Sequence, residues 1–253
     1  PKPKKGPKSK KGPKSKKGPK SKKGPKTKKG KGVRAGAKLM QELGGSRLHY
    51  NFPRVGGVKR DLPVGFAQRC RAKIALFLER LKEYEMLLDE STVFLVRTQG
   101  VGLASAEAMV NAGVTGPNLR AAGVNYDVRW AHPYSVYDEL DWTPSVEKPS
   151  SVKGADCYDR YRVRMEEMVH SCEMVLEALE KIPGGADSHY SPGDAMIQSK
   201  APLRAPAGSS GFHHYEDCRG ESMFYLQGGG EGRGKHPYRV SIRSPMFITI
   251  PFV

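Results

Sequence analysis

The residues able to do chemistry are few in this sequence, and their spacing suits none of the common reactions. Cys70, Cys157, Cys172 and Cys218 are scattered with no CxxC pair, which speaks against a zinc or iron–sulfur cage and against a disulfide framework; a reducing compartment fits best. His213-His214 stands four residues before Cys218. Without a second cysteine or a carboxylate at ligand spacing, that trio reads as a surface loop, not a metal centre. Gly56-Gly57 and Gly228-Gly229-Gly230 lack the Lys-Ser/Thr of a phosphate loop and the strand–GxGxxG–helix setting of a dinucleotide site. No GxSxG elbow presents a serine nucleophile. Glu166 and Glu167 are neighbours in a helical pattern and point about 100° apart, so they form no carboxylate pair. Composition and spacing by themselves reveal no active site.

The elements that would position these residues are clearer. Phe66, Cys70, Ile74, Phe77, Leu81, Tyr84 and Leu88 recur at steps of three and four, with Arg, Lys and Glu on the other faces, which predicts one long amphipathic helix beginning near Gly65. A shorter helix is expected over 105–111, with Ser105 at its N-cap and Gly113 beyond its end. The strongest period lies in 156–182, where Tyr161, Met165, Met168, Cys172, Val175, Leu179 and Ile182 form a stripe closed by Pro183-Gly-Gly. Such a stripe reads as core, and two helices of this kind need each other or a third to bury their faces. Residues 34–64 are rich in Gly and Arg, and 115–145 have no clean period; the latter read as ordered loops and turns. Alternating segments at 222–226 and 238–242, joined by a glycine-rich link, read as a β-hairpin. The fold class expected is mainly α with a small hairpin or sheet.

The 253 residues carry a formal net charge of +17, but the excess is local. Residues 1–32 hold sixteen lysines and no acid, in a hexad repeat whose core copies read Pro-Lys-Ser-Lys-Lys-Gly. Nothing in it can be buried, so it is expected to be disordered and suited to non-specific binding of polyanions, nucleic acid or acidic lipid, through counterion release. No aromatic residue interleaves the lysines for base stacking. The remainder is nearly neutral and long enough for a sizeable core, and the expected organisation is a tail over 1–32, a helical body over 33–183, and a loop and hairpin lobe of the same domain over 184–253. No apolar run reaches the roughly 18–20 residues needed to span a bilayer.

The local wording is more specific than the periodicity. Gly45-Ser46-Arg47-Leu48-His49-Tyr50-Asn51-Phe52-Pro53-Arg54-Val55-Gly56-Gly57-Val58, followed by Asp61-Leu62-Pro63, resembles a signature segment of the quinone-site subunit of respiratory complex I, the D or 49-kilodalton subunit. The likeness continues in order through Arg97-Thr98-Gln99-Gly100-Val101-Gly102, Gly116-Pro117-Asn118-Leu119-Arg120-Ala121-Ala122-Gly123, Asp127-Val128-Arg129, Pro133-Tyr134-Ser135, 156–168, Arg219-Gly220-Glu221 and 237–247. Roughly residues 40–250 are covered.

The resemblance implies the helical fold of the nickel–iron hydrogenase large subunit, here incomplete and without that family's nickel-binding CxxC pairs. It implies a subunit of NADH:quinone oxidoreductase, inactive alone, in the peripheral arm of a membrane complex on the cytoplasmic or matrix side. Its partners would be the iron–sulfur subunit carrying the terminal 4Fe-4S cluster, other peripheral-arm and membrane-arm subunits, and quinone. This chain would bind no cofactor itself; NADH and FMN would act elsewhere in the complex, and electron flow would be coupled to proton translocation. By the same resemblance His49 matches the histidine beside the cluster, where an imidazole titrating near neutrality answers the electron with a proton, and Arg47 and Arg54 flank it and set the local potential. The family's quinone-contacting Tyr and Asp belong to a segment before Gly44, replaced here by the lysine repeat. A terminal acidic segment belongs after Phe247, the loop before Ala201 is shorter than usual, and Pro53 stands where an aliphatic residue is common. The chain is therefore expected to be the middle of such a subunit. Two other classes remain open on the residues alone: a polycation-tailed binding protein, and a subunit of an energy-converting hydrogenase-type complex.

Overall fold

Asp156 starts the longest helix by reciprocal capping. Its carboxylate accepts from the Asp159 N–H at 2.9 Å, and the Asp159 carboxylate accepts from the Asp156 N–H at 3.1 Å. Burial would raise the Asp156 carboxyl, but the N–H groups of Gly100 and Asp159 and the Ser150 hydroxyl hold it below its ordinary value. The computed structural model describes residues 31–50, 52–54, 57–182, 206, 208–229 and 236–252. The lysine repeat, and with it the expected disorder, lies outside the described residues, as does most of the link after Ile182.

Eight helices and five strands are formed by the described residues: α1 (Lys31–Gly44), β1 (Pro53–Arg54), β2 (Gly57–Val58), α2 (Phe66–Asp89), α3 (Thr92–Thr98), α4 (Ala106–Asn111), α5 (Pro117–Ala121), α6 (Val128–Ala131), α7 (Cys157–Lys181), β3 (Ser210–Asp217), β4 (Gly220–Gln227), β5 (Arg239–Arg243) and α8 (Pro245–Phe252). The mainly helical class with a small sheet is what the sequence pattern calls for. The two long helices fall where their stripes place them, and Ser105 caps α4 by accepting from the Ala108 N–H.

Four elements differ from what the sequence pattern marked. α1 occupies part of the Gly- and Arg-rich stretch, where the sequence pattern marked no separate helix. Leu39 and Leu43, one turn apart, pack with Phe66, Ala67, Cys70 and Leu179, and this burial outweighs the roughly 1 kcal/mol that each helical glycine costs. Within 115–145, read as loops and turns, α5 and α6 are single turns, too short to show a period. The stripe of α7 is only partly core. Met165 and Leu179 are buried, but Met168 and Val175 are 36% and 43% exposed, while Val163 and Met174, off the stripe, are buried. α7 packs against α2, α3 and α5, and α2 accompanies it from Tyr158, whose hydroxyl donates to Asp89, to Leu179, which packs with Phe66, so the buried face of α7 is set by these neighbours. Over about 37 Å it joins two cores, one around Leu39 and Phe66, the other around Met109, Val114, Leu119 and Val163, with Ile248 and Phe252 of α8 packed against it.

The expected hairpin of β4 and β5 gains β3 as a third antiparallel strand, in the order β3-β4-β5. The register places His214, Glu216, Glu221, Met223 and Arg243 on one face, and Arg243 ties that face to the body by donating to the Gly113 carbonyl at 2.7 Å. The sheet meets α5 where Gly116 and Gly220 cross. A Cβ on Gly116, at φ +76°, would lie 2.3 Å from the Gly220 Cα, so this contact requires two glycines back to back.

Candidate functional site

His49 sits on a short outward segment between α1 and the β1–β2 hairpin. Gly45 ends α1 at φ +80°, its N–H donating to the Gln41 carbonyl at 2.9 Å. Beyond it, Arg47, Leu48, His49 and Tyr50 are all exposed, Leu48 by 72%. His49 holds a left-handed backbone, φ +43°, a conformation costing a non-glycine residue roughly 1–2 kcal/mol. Among the described residues its ring makes no hydrogen bond, ion pair or ring contact. Arg47 turns back on α1, donating Nε–H to Gln41 Oε1 at 2.9 Å. Arg54 is in β1, paired through its backbone with Gly57; its side chain lies outside the described residues. The structure thus carries Arg47 and His49 on one segment, with Arg54 on the adjoining hairpin. It offers a free imidazole flanked by exposed Leu48 and Tyr50, an arrangement suited to being covered by another protein surface.

A second charged centre escaped the sequence reading. Arg120 of α5 is 2% exposed in its side chain and is surrounded by carboxylates from three other elements. Asp127 Oδ2 lies 3.1 Å from Nη1, Glu216 Oε1 lies 2.9 Å from Nη1, and Glu167 Oε1 lies 2.7 Å from Nη2. Asp127 also takes Arg129 at 2.7 Å, and Arg129 stacks over Trp142 with its guanidinium carbon 4.7 Å from the ring centre. Burial works against the Arg120 charge, but Glu167, Glu216 and Asp127 together outweigh it and raise its proton affinity. Burial raises the Glu216 carboxyl despite Arg120 beside it. The knot ties α5, α6, α7 and β3 together. The one sequence signal for it is a charge set inside the apolar run Leu119-Arg120-Ala121-Ala122.

The histidine pair is not in a loop: His213 and His214 lie in β3. The carboxylate sought nearby in sequence comes from across the hairpin, where His214 Nδ1 is 2.7 Å from Glu221 Oε1, and the His132 ring is 5.3 Å from that of His214. Among the described residues no group of three or more His, Cys, Asp or Glu is placed to hold a metal ion. Nor is any described helix long and apolar enough to cross a membrane.

Comparison with known proteins agrees with the resemblance. Residues 35–253 match the family described as the 49 Kd subunit of respiratory-chain NADH dehydrogenase. A D subunit of NADH-quinone oxidoreductase from a Roseiflexus species is 39% identical over 212 residues, covering 84% of this chain and 54% of the relative. A D subunit of NADH-quinone oxidoreductase from Rhizobium etli is 34% identical over 230 residues, covering 84% and 55%. The H subunit of NAD(P)H-quinone oxidoreductase from a Synechococcus species is 35% identical over 229 residues, covering 84% and 56%. The chain spans about half the length of the relatives it matches.

Proposed function

The chain belongs to the family of the 49-kilodalton subunit of respiratory-chain NADH dehydrogenase, and from that premise we propose that it works as part of the quinone-site subunit of an assembled NADH:quinone oxidoreductase. In this reading it lies in the peripheral arm, on the cytoplasmic or matrix side, against a neighbouring iron–sulfur subunit. With that subunit it forms the wall of the chamber in which quinone receives electrons delivered from NADH through flavin and iron–sulfur clusters. The 4Fe-4S cluster, held by the neighbour, supplies one-electron transfer. What this chain supplies is a proton acceptor beside it, the His49 imidazole, and the cationic side chains of Arg47 and Arg54.

The observation that carries the reading is the presentation of His49. A histidine with no partner among the described residues, held in a strained turn between a capped helix and a hairpin, fits a role facing another subunit better than a role in this chain's stability. The test is a photo-crosslink from position 48 in the assembled complex, with Val152, 108% exposed, as the control position. A photoreactive leucine at 48 should label the iron–sulfur subunit and one at 152 should not; labelling only by position 152, or by neither, refutes the placement.

The sixteen lysines of residues 1–32 support a second, compatible activity, electrostatic attachment to polyanions.

A further inference from the structure

We propose that the cleft between α7 and the β3–β4 turn binds an oxyanion, the phosphate or carboxylate group of a small ligand, through Arg164. This site is separate from His49 and stands independently of the role given to it. The cleft encloses about 460 Å³ and is lined by three guanidinium groups, Arg120, Arg129 and Arg164, with Ser171 and Cys218 beside them. That is the size range of small-molecule sites. Two of the three carboxylates that also reach it are engaged in ion pairs, and the third, Asp217, accepts a backbone N–H. Glu167 and Glu216 pair with Arg120 at 2.7 and 2.9 Å, and Asp217 Oδ1 accepts the Cys218 N–H at 2.8 Å.

Arg164 is different from its two neighbours in the lining. It donates Nη1–H to the Arg160 carbonyl at 2.6 Å and Nη2–H to Asn118 Oδ1 at 2.8 Å, which leaves three of its five N–H groups without a partner among the described residues. No carboxylate of those residues stands within ion-pair distance of it. Arg160 and Arg219 likewise have no ion pair among the described residues: Arg160 donates Nη2–H to the carbonyls of Gly102 and Ala155, and the Arg219 guanidinium rests on the Cys218 sulfur. Burial, helped by the charges of Arg160, Arg120 and Arg219 and opposed by Glu167, lowers the proton affinity of Arg164. A half-buried cation among like charges is an unfavourable arrangement that an oxyanion relieves, since a guanidinium fork matches two oxygens of a carboxylate or phosphate at once. The bound group would sit over Arg164 with the Ser171 hydroxyl near it and would cover Cys218, an exposed thiol.

Cys218 therefore reports on occupancy. The full chain is alkylated with iodoacetamide in chloride buffers of matched ionic strength, with inorganic phosphate or acetate replacing part of the chloride, and the modification of Cys218 and Cys157 is followed by peptide mapping. Phosphate should slow Cys218 saturably, by about threefold once its concentration reaches about twice the dissociation constant, and leave Cys157 unchanged. Protection by acetate as well supports a general oxyanion site; protection by phosphate alone supports a phosphoryl site. R164Q should lose the protection when its rate with phosphate is compared with its own anion-free rate at Cys218. Because this variant could be misfolded, the wild-type arm stands alone: no slowing beyond the chloride control, or equal slowing of Cys157 through binding elsewhere, overturns the proposal, as does protection that persists in folded R164Q.

Discussion

Replacing Arg120 by Met should unfold the chain more readily by an amount that depends on pH. The substitution keeps most of the side-chain volume and removes the charge. Of the three carboxylates left behind, Asp127 keeps Arg129 at 2.7 Å, and Glu167, 20% exposed, is reached by water. Glu216 is 3% exposed and keeps, among the described residues, only the hydrogen bond from the Val128 N–H at 3.3 Å. One buried carboxylate is thereby left uncompensated, which costs about 3–5 kcal/mol, or roughly 6–20 °C in Tm for a chain of this size. The sign with pH follows from Glu216, whose carboxyl is already raised by burial and rises further without Arg120. A carboxyl held above its unfolded value of about 4.3 is destabilising once the unfolded chain has lost its proton. The deficit of the mutant should then be small near pH 4, grow as pH rises toward the folded value, and be full above it. Urea unfolding followed by helical circular dichroism at pH 5 and pH 8 measures this, with the denaturant slope expected to stay constant. R120M/E216Q should recover part of the loss at pH 8. A deficit below about 1 kcal/mol at pH 8, or one of equal size at pH 5, refutes the reasoning.

Other consequences are testable by unfolding and binding measurements. Gly116→Ala should cost about 3 kcal/mol or more, because the new Cβ meets the Gly220 backbone, which cannot yield as a side chain would; a melt unchanged by the substitution contradicts the back-to-back crossing. Tyr161→Phe should raise stability by about 1 kcal/mol, since the Tyr161 hydroxyl is buried without a hydrogen-bond partner among the described residues and burial pushes its pKa up to about 12; a loss of stability would show that the hydroxyl is satisfied. Deleting residues 1–30, which leaves α1 whole, should abolish binding to DNA and to anionic vesicles, and the binding of the full chain should fall steeply with salt. Salt-insensitive binding by the shortened chain counts against the electrostatic reading.

What was legible in the sequence is what depends on repetition. α2 and α7 carry enough turns for a period to accumulate, and Ser105 and Gly113 mark the ends of α4 by local chemistry that needs no tertiary partner. α5 and α6 have one turn each, and α1 owes its existence to Leu39 and Leu43 finding Phe66 and Leu179, a contact made across more than twenty residues of chain. The partial burial of the α7 stripe has the same origin: which face is covered depends on where α2 and α5 cross it. For the site, the local wording singled out His49 and its arginines, while the Arg120 knot was invisible because its members are spread over α5, α6, α7 and β3. Glu221 came to His214 by strand register, again a fact of pairing and not of spacing.

The role proposed for His49 is most directly tested by the midpoint potential of the 4Fe-4S cluster assigned in that proposal to the neighbouring subunit, read from its EPR signal in the assembled complex at several pH values, in wild type and in His49→Met. A histidine beside the cluster binds its proton more tightly when the cluster is reduced, so the wild-type potential should fall as pH rises, at up to about 59 mV per pH unit for one proton per electron. Methionine fills similar space and takes up no proton. In the mutant the slope should flatten and the potential at acid pH should drop, with the complex still assembled. A mutant that keeps the wild-type slope would show that the coupled proton resides elsewhere and that His49 serves only the shape of its turn.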